Sequence, residues 1–383
     1  MTIRRFVVGV LLLISAFCSG AKAAGQEAGN GSGDLGDWLT YYYLDKENSK
    51  VCDSLRLLQQ GGMLEKRATM VPRVTGFLTG VFSENPARVS EWVRCASYTG
   101  KTKEAVQVGL WLSGNGKLVP EVFNETPAFL QQSTGGLTRI SPKRLEHLDI
   151  LWGAFSATGD DSLVLKIIDV LDKNQVLTGE ATQDGVTRKV AAMSLEISMG
   201  QHERVRRLMA REAVARPEPV GTLLSQIMIA SDKRTAFKNM PDASGEFSGA
   251  IVLTDVRQLK EFSKPSNAGM TFEQVTKLKP GETLVVNILF AGMELRPDLT
   301  ADVSYMIRIE NPGGGVYLSD TERRQALKRK LPSRSRIYNA ESYATLEFTP
   351  KDQPGKYTVV VVIQDNVGNR VIRTTRDFEL VAP

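Results

Sequence analysis

The stretch TPKDQPGKYTVVVVIQDNVGN, residues 349–369, indicates the fold of the C-terminal part of this chain. Its central segment KYTVVVVI is a β-branched run, which is typical of a buried strand. The Asp, Asn and Gly residues on either side have the composition of turns. They also raise the alternative of a calcium site, in which QDNVGN would join Asp298 and Asp302. Ordinary turn chemistry is the simpler interpretation of these loops.

Segments with period-two alternation fill the chain around this stretch, from residue 246 to residue 383. They include FSGAIVLT, TLVVNILFAG, ADVSYMIRIE and YATLEFT. The glycines of NPGGG, between SYMIRIE and VYLS, indicate a hairpin, because glycine adopts positive φ without steric cost. Seven or more short strands in this region predict an antiparallel β-sandwich.

The segment DQPGKYTVV resembles the corner before strand F of immunoglobulin-like and fibronectin-like domains. Asp352, Gly355 and Tyr357 match this corner residue by residue, and Tyr357 takes the tyrosine-corner position. Val359 and Tyr305 stand where antibody domains carry cysteine and tryptophan. The resemblance therefore implies an immunoglobulin-like sandwich that is not of the antibody type, and it implies no activity.

The N-terminal segment MTIRRFVVGVLLLISAFCSGAKA, residues 1–23, has the features of a signal peptide. Arg4 and Arg5 precede an apolar run, and the final AKA is a small–x–small cleavage pattern. We expect a periplasmic or secreted protein, cleaved near Ala23, with no transmembrane segment in the mature chain. A flexible arm is predicted over residues 24–34.

Removal of this segment changes the charge and the cysteine content of the chain. The net charge falls from +5 to +2, because three basic residues and no acid are lost. This balance argues against a nucleic-acid partner. Cys52 and Cys95 remain, and two cysteines in an oxidising compartment predict a disulfide. Two buried free thiols are the alternative.

Residues 35–232 show period-3.6 patterns that predict an all-α domain of helical hairpins. Three predicted turns share a glycine, suited to a left-handed helix cap, and a small apolar residue five positions later: Gly100 with Ala105, Gly159 with Val164, and Gly200 with Val205. This spacing resembles the turns of tetratricopeptide-like solenoids. The segment LDILWGAFSATGD, residues 148–160, resembles one in secreted bacterial proteins. Neither resemblance implies an activity.

No motif in the sequence indicates catalysis, a metal or a cofactor. His147 and His202 have no metal-ligand spacing, and we predict solvated or helix-capping roles for both. Nucleophile-elbow, Walker and dinucleotide-binding patterns are also missing from the sequence. We therefore predict no catalytic residue, no metal and no cofactor. A carboxylate pair leaves no fixed spacing, so a hydrolase with an unrecognised carboxylate site stays an alternative.

The segment TERRQALKRKLPSRSRIYNAE, residues 321–341, is unusually basic. Seven positive charges fall within fourteen positions: Arg323, Arg324, Lys328, Arg329, Lys330, Arg334 and Arg336. Because of Pro332 and the serines, we expect an irregular segment between strands. It is either a binding surface for anionic lipid, lipopolysaccharide or an acidic protein, or a loop kept soluble by its charge.

These observations predict a multidomain chain with an α-then-β order. An all-α, solenoid-like helical-hairpin domain (35–232) and a linker (233–245) precede an immunoglobulin-like antiparallel β-sandwich (246–383). The predicted function is that of an exported, non-catalytic interaction or scaffold protein of the bacterial envelope, which binds a protein or peptide partner. Binding of anionic lipid, lipopolysaccharide or carbohydrate through the sandwich is one alternative, and the hydrolase is another.

Overall fold

The computed structural model describes residues 31–132, 136–172, 177, 181–234, 242–244, 246–258 and 273–382. The predicted signal peptide lies outside these residues, as do most of the predicted arm and linker. The last four residues of the predicted arm are helical rather than irregular. The chain divides into two compact units, and the boundary falls between Ser231 and Asp232.

Helices make up the first unit, as the periodicity predicts. The described part of the chain contains twelve α-helices: α1 (Gly31–Tyr41), α2 (Val51–Gln60), α3 (Met63–Lys66), α4 (Val71–Glu84), α5 (Val89–Val93), α6 (Gly100–Leu112), α7 (Leu118–Phe123), α8 (Leu145–Thr158), α9 (Asp161–Asp169), α10 (Ala181–Gln201), α11 (Glu203–Ala215) and α12 (Val220–Arg234). The observed order is thus α followed by β.

The predicted left-handed helix cap is found at one of the three glycines, Gly159, which ends α8 with φ of 70°. Gly100 also has a positive φ, of 53°, but it begins α6 and ends no helix. Gly200 lies inside α10, so the left-handed cap predicted there is wrong. The chain turns two residues later, at His202, which has extended backbone angles. The three apolar residues that follow the glycines, Ala105, Val164 and Val205, are fully buried, as expected.

Helices α4 and α8 approach each other so closely that no side chain fits between them. A Cβ added at Gly76 would overlap the backbone of Ile150, and one added at Gly153 would overlap the carbonyl oxygen of Arg73. The first unit has two hydrophobic clusters, one built around α4 and the other around α8. The contact between these two glycine-bearing helices therefore joins the two clusters.

The close approach of the two helices at Gly153 predicts that an added methyl group there destabilises the fold. Gly153→Ala should lower the free energy of unfolding by about 3 kcal/mol, because the added methyl group forces two backbones apart. Gly185→Ala is the matched control, since a Cβ at this α10 glycine would meet no atom within 4 Å. The control should gain about 0.5–1 kcal/mol from helix propensity. Chemical denaturation compares the two; equal gains in both variants would contradict the packing.

Cys52 on α2 and Cys95 after α5 are bonded to each other in the structure. Their Cα atoms lie 5.9 Å apart, a separation typical of disulfides. The bond joins segments 43 residues apart in sequence within the first hydrophobic cluster. The structure is therefore consistent with the predicted disulfide.

The second unit contains ten described strands in two sheets: β1 (Asp242–Ser244), β2 (Phe247–Asp255), β3 (Lys277–Leu278), β4 (Thr283–Ala291), β5 (Thr300–Glu310), β6 (Val316–Lys330), β7 (Tyr338–Asn339), β8 (Ala344–Glu347), β9 (Gly355–Asp365) and β10 (Arg370–Leu380). One sheet has the order β1-β2-β4-β7, and β8 also pairs with β4. The other has the order β3-β10-β9-β5-β6. All pairings are antiparallel except β3 with β10.

A single cluster of buried side chains draws on both sheets. Strands β2 and β4 contribute Ile251 and Phe290, and strands β5, β9 and β10 contribute Tyr305, Val361 and Phe378. The residues of β9 alternate between this core and the other face, except that Val360 is also buried. The β-branched run KYTVVVVI therefore lies at the centre of the second sheet.

Candidate interaction surface

The basic segment contains most of the predicted site residues, and its conformation differs from the expectation. Residues 321–330 are not an irregular loop but the second half of β6, which pairs with β5. Val316 lies opposite Glu310 at one end of this pairing, and Lys330 lies opposite Thr300 at the other. Three register shifts interrupt this pairing. They explain the wrong prediction, because bulges in an edge strand break the period-two pattern that identifies strands in a sequence.

The predicted basic residues do not share one environment. Arg323, Arg324, Lys328, Arg329 and Lys330 are exposed on β6, whereas Arg334 and Arg336 follow the strand and are partly buried. Ion pairs connect several of them to carboxylates of the same unit: Arg324–Asp320 (2.5 Å), Lys328–Asp302 (3.7 Å), Arg329–Glu341 (3.2 Å), and Arg334 with Glu246 and Glu294 (3.3 Å each). The local positive potential is thus lower than the sequence suggests.

Arg334 acts within the fold more than at the surface. Its side chain is 19% exposed, and its carbonyl oxygen accepts a hydrogen bond of 2.8 Å from the amide of Gly292. The guanidinium spans Glu246 and Glu294. Arg334 therefore holds the segment after β6 against the start of β2 and the end of β4.

The first three residues of β6 expose apolar side chains. Val316 is 56% exposed and Leu318 is 39% exposed. Tyr317 between them is fixed, because its ring stacks on Phe348 at 5.3 Å and its hydroxyl donates to Asp352 at 3.0 Å. A register shift at Tyr317 places Val316 opposite Glu310 and Leu318 opposite Ile309, so these two exposed apolar side chains lie on opposite faces of the strand.

Strand β6 is the last strand of its sheet among the described residues. On the side away from β5, the amide of Glu341 donates to the carbonyl of Ala326 at 2.7 Å. The hydroxyl of Ser342 donates to the carbonyl of Gln325 at 3.1 Å. Both contacts cover the second half of the strand. Between Val316 and Asp320, the described residues provide no backbone partner on that side.

The loop QDNVGN, considered above as part of a calcium site, is a hydrogen-bonded turn. Asp365 is fully buried and pairs with Arg370 at 2.8 Å. Its carboxylate also accepts hydrogen bonds from the amides of Glu294, Val367 and Gly368, at 2.9, 3.1 and 3.0 Å. These donors occupy the oxygens that a cation would need.

Asp302 lies beside this turn and is also engaged. Burial tends to raise the pKa of its carboxyl, but hydrogen bonds from Asn366 and Gln325 and the charges of Lys328 and Arg296 lower the pKa overall. The amide of Asn366 donates to Asp302 Oδ1 at 2.8 Å. Asp302 therefore fixes the turn to β5. Asp298, the other calcium candidate, bonds the amide and hydroxyl of Thr300 at 3.0 and 2.8 Å.

The buried charge of Asp365 predicts a large effect of substitution. Asp365→Asn should lower the free energy of unfolding by about 2–3 kcal/mol, because it removes the charge that accepts these hydrogen bonds and faces Arg370. Asp298→Asn, at an exposed turn, should cost less than about 1 kcal/mol. Calcium should leave the wild-type melting temperature unchanged. A calcium-dependent rise that Asp365→Asn abolishes would contradict the turn interpretation.

One of the two histidines, His202, differs from the prediction of solvated or capping roles. His202 is fully buried, so a solvated role is wrong for it, and its side chain makes no capping bond to α11. Its ring lies 5.3 Å from that of Phe155, and its Nδ1 lies 3.2 Å from the hydroxyl of Tyr43. His147 is partly exposed, and its Nδ1 lies 2.6 Å from the carbonyl oxygen of Ser141.

Asp149 on α8 is the carboxyl that the sequence argument did not identify. Burial raises its pKa to about 6, Arg73 opposes this rise, and Glu146 adds to it. Asp149 lies one turn before Gly153, beside the close contact of α4 and α8. Its desolvation comes from burial in the folded unit, so no local sequence signal identifies it.

The raised pKa of Asp149 predicts a pH dependence of stability. Between about pH 4 and pH 6 the unfolded chain releases this proton and the folded chain keeps it, so stability falls as the pH rises. Asp149→Asn removes this decline. The variant should be about 1–2 kcal/mol more stable than wild type at pH 7, because the half-buried carboxyl retains some solvent. Denaturation across this pH range measures the effect.

The exposed carboxyl of Glu121 on α7 provides the control for Asp149. Glu121→Gln should leave the pH profile of stability as in wild type, because this carboxyl pairs only at the surface with Arg94. Identical profiles for wild type and Asp149→Asn would show that Asp149 titrates normally.

Comparisons with known proteins do not assign a family. No family description matches the chain, and no curated protein matches it. A family 123 glycoside hydrolase structure from Clostridium perfringens is 10% identical, covering 36% of this chain and 28% of that chain, with a TM-score of 0.22. This chain thus covers less than a third of that enzyme.

Two further solved structures are equally distant. An alkylpurine DNA glycosylase from Pseudomonas fluorescens, bound to DNA containing an abasic site analog, is 12% identical over 79% of this chain and 77% of that chain (TM-score 0.22). A CARDB domain from Pyrococcus furiosus, in complex with di-metal ions, is 11% identical over 37% of this chain and 100% of that chain (TM-score 0.19). At these TM-scores the likenesses carry no argument about fold or function.

Two searches of the described residues bear on the chemistry. No helix among them is both long and apolar enough to cross a membrane. Within the same residues, no group of three or more His, Cys, Asp or Glu side chains is arranged to hold a metal ion.

Proposed function

We propose that this chain is an exported, non-catalytic interaction protein of the bacterial envelope, which binds a protein or peptide partner through β6. One observation carries the proposal: β6 is a 15-residue edge strand that exposes apolar side chains in its first half and basic side chains in its second half. Exposed strand edges with apolar side chains are common recognition surfaces. The N-terminal signal features and the cysteine pair support export to the periplasm or beyond.

The second unit is proposed to be an immunoglobulin-like sandwich. Its strand orders, β2-β4-β8 and β3-β10-β9-β5-β6, correspond to the A-B-E and A′-G-F-C-C′ sheets of that fold. Tyr357 near the start of β9 donates from its hydroxyl to the carbonyl of Gln353 at 2.9 Å. This bond has the geometry of a tyrosine corner. The architecture leaves the C′ strand, β6, at the edge of the sheet.

The tyrosine corner can be tested by removing one oxygen atom. Tyr357→Phe should lower the free energy of unfolding by about 1 kcal/mol, because it deletes the hydrogen bond to Gln353 and keeps the ring packing. Tyr343→Phe is the control, since Tyr343 is 47% exposed, and it should have almost no effect. An equal effect of both substitutions would remove the support that Tyr357 gives to this fold.

The first unit is proposed to be a helical-hairpin domain with a tetratricopeptide-like organisation. Only Gly159 and Asp160 separate α8 from α9, and only His202 separates α10 from α11. Short connections of this kind favour antiparallel helix pairs. The unit would serve as a scaffold or as a second docking surface.

Binding of anionic lipid or lipopolysaccharide is the weaker candidate. It depends on an uncompensated positive surface, and the ion pairs of Arg324, Lys328, Arg329 and Arg334 reduce that surface. No observation on the described residues favours carbohydrate binding or hydrolysis over partner binding.

Site-specific photo-crosslinking in native envelopes tests the proposed function. A photoreactive residue in place of Leu318 on β6 should form an adduct with one envelope protein, because a bound partner would cover that side chain. The same residue in place of Val371 on β10, which is 50% exposed, should not form this adduct. No protein adduct at Leu318, or the same adducts at both positions, would overturn the proposal.

A further inference from the structure

The open backbone of β6 is confined to one part of the strand. Contacts from Glu341 and Ser342 cover the carbonyls of Ala326 and Gln325. Residues Val316–Asp320, which we name the open edge, have backbone partners only on β5 among the residues that the structure describes. Their outward N–H and C=O groups can therefore pair with another strand without displacing a described contact.

We propose that the open edge binds an extended acidic segment of a partner protein, which adds to the second sheet as a further strand. The inference rests on the proposed function and specifies its mode of binding. A strand edge binds through backbone hydrogen bonds, and adjacent side chains provide specificity at alternate positions. Apolar residues of the partner would contact Val316 and Leu318.

The two halves of β6 differ in how well they are protected against pairing with another strand. Proteins protect edge strands from pairing with charged side chains, bulges and covering loops. The second half of β6 has all three, including Lys328, Arg329 and Lys330 and the contact from Glu341. The open edge also contains one register shift, at Tyr317, and the acid Asp320, but it exposes apolar Val316 and Leu318 and lacks lysine, arginine and proline. Protection is thus weakest where the apolar side chains are exposed.

Charge complementarity identifies the chemistry of the partner. Strand β6 carries five basic and two acidic residues. Arg323 donates to the neutral amide of Gln364, a contact that leaves its charge uncompensated. Lys328 and Arg329 are already paired with Asp302 and Glu341. Among the described residues no ion pair engages Arg323 or Lys330, so these two charges remain for the carboxylates of a partner.

Selection from a library of random peptides of about ten residues tests this mode of binding directly. The bait is the full mature chain. We expect enrichment of peptides with β-branched or aromatic residues at alternate positions and with Asp or Glu at one end. Enrichment of proline-rich, helical or basic peptides, or of none, would overturn the inference.

An N-methyl scan of one enriched peptide separates strand addition from other modes of binding. Methylation of alternate amides should weaken binding at least about tenfold, because these amides donate to β6, and methylation of the intervening amides should have little effect. Equal sensitivity at successive positions would contradict strand addition, even if the peptide binds tightly.

Charge reversals on β6 test the acidic preference. The Arg323→Glu/Lys330→Glu double variant should weaken binding of the enriched acidic peptide by about tenfold or more, and higher salt should reduce the difference. Arg373→Glu is the matched control, because Arg373 is an exposed base on β10, away from the edge. It should bind within about twofold of wild type. Equal losses in both variants would show that only net charge matters.

The outcomes distinguish the inference from the proposed function. If Leu318 forms an adduct with an envelope protein but no peptide shows alternate N-methyl sensitivity, the inference fails and partner binding stands. If phosphatidylglycerol vesicles bind through Arg323 and Lys330 and no peptide is enriched, the surface is a lipid site and the inference fails as well. Alternate sensitivity together with loss of binding on charge reversal supports it.

Discussion

The first unit depends on a contact between two helices that have no side chains at their crossing. Gly76 and Gly153 allow α4 and α8 to approach until the backbone of each helix faces the other. Each helix also carries the apolar residues of its own hydrophobic cluster, so the crossing connects one half of the unit to the other. The same approach desolvates Asp149 and raises its pKa. Asp149, whose raised pKa lowers the stability of the fold at neutral pH, thus lies beside the contact between α4 and α8.

In the second unit the strand β6 lies at the edge of its sheet, where the described residues provide a neighbouring strand on one side only. Hydrogen bonds accepted by Asp365 fix the turn at one end of β9, and the hydrogen bond donated by Tyr357 to Gln353 fixes the corner at the other end. At the margin of that sheet β6 extends for 15 residues and, among the described residues, pairs as a strand with β5 alone. Described contacts cover its charged half and leave its apolar half uncovered. An edge of this kind is a liability for aggregation unless a partner uses it, which favours a role in binding.

The sequence predicts the order of the two units and the buried strand β9, because strong periodicity and β-branched runs reflect burial directly. It also predicts the burial of Ala105, Val164 and Val205. The start of β6, VYLS, was predicted as a strand after the NPGGG turn, but its continuation through residues 321–330 was not, since bulges and two exposed faces erase the alternation that identifies a strand. The roles of Gly76 and Gly153 could not be inferred either, because a glycine within a helix shows no sign of the partner that it approaches. Likewise, His202 becomes buried only through distant aromatic residues, among them Tyr43 and Phe155.

The central claim is that β6 has an open edge on which a partner strand can pair. Residue-resolved amide hydrogen exchange of the full mature chain, with no partner added, tests it most directly. The amides of Val316–Asp320 that face away from β5 should exchange rapidly, as solvent-exposed amides do, and those that face β5 should be protected, with the alternation interrupted at the Tyr317 register shift. The amides of β9, which is paired on both sides, should be protected without alternation. Protection of every amide along the open edge, at the level seen in β9, would show that another segment already covers it and would contradict the account.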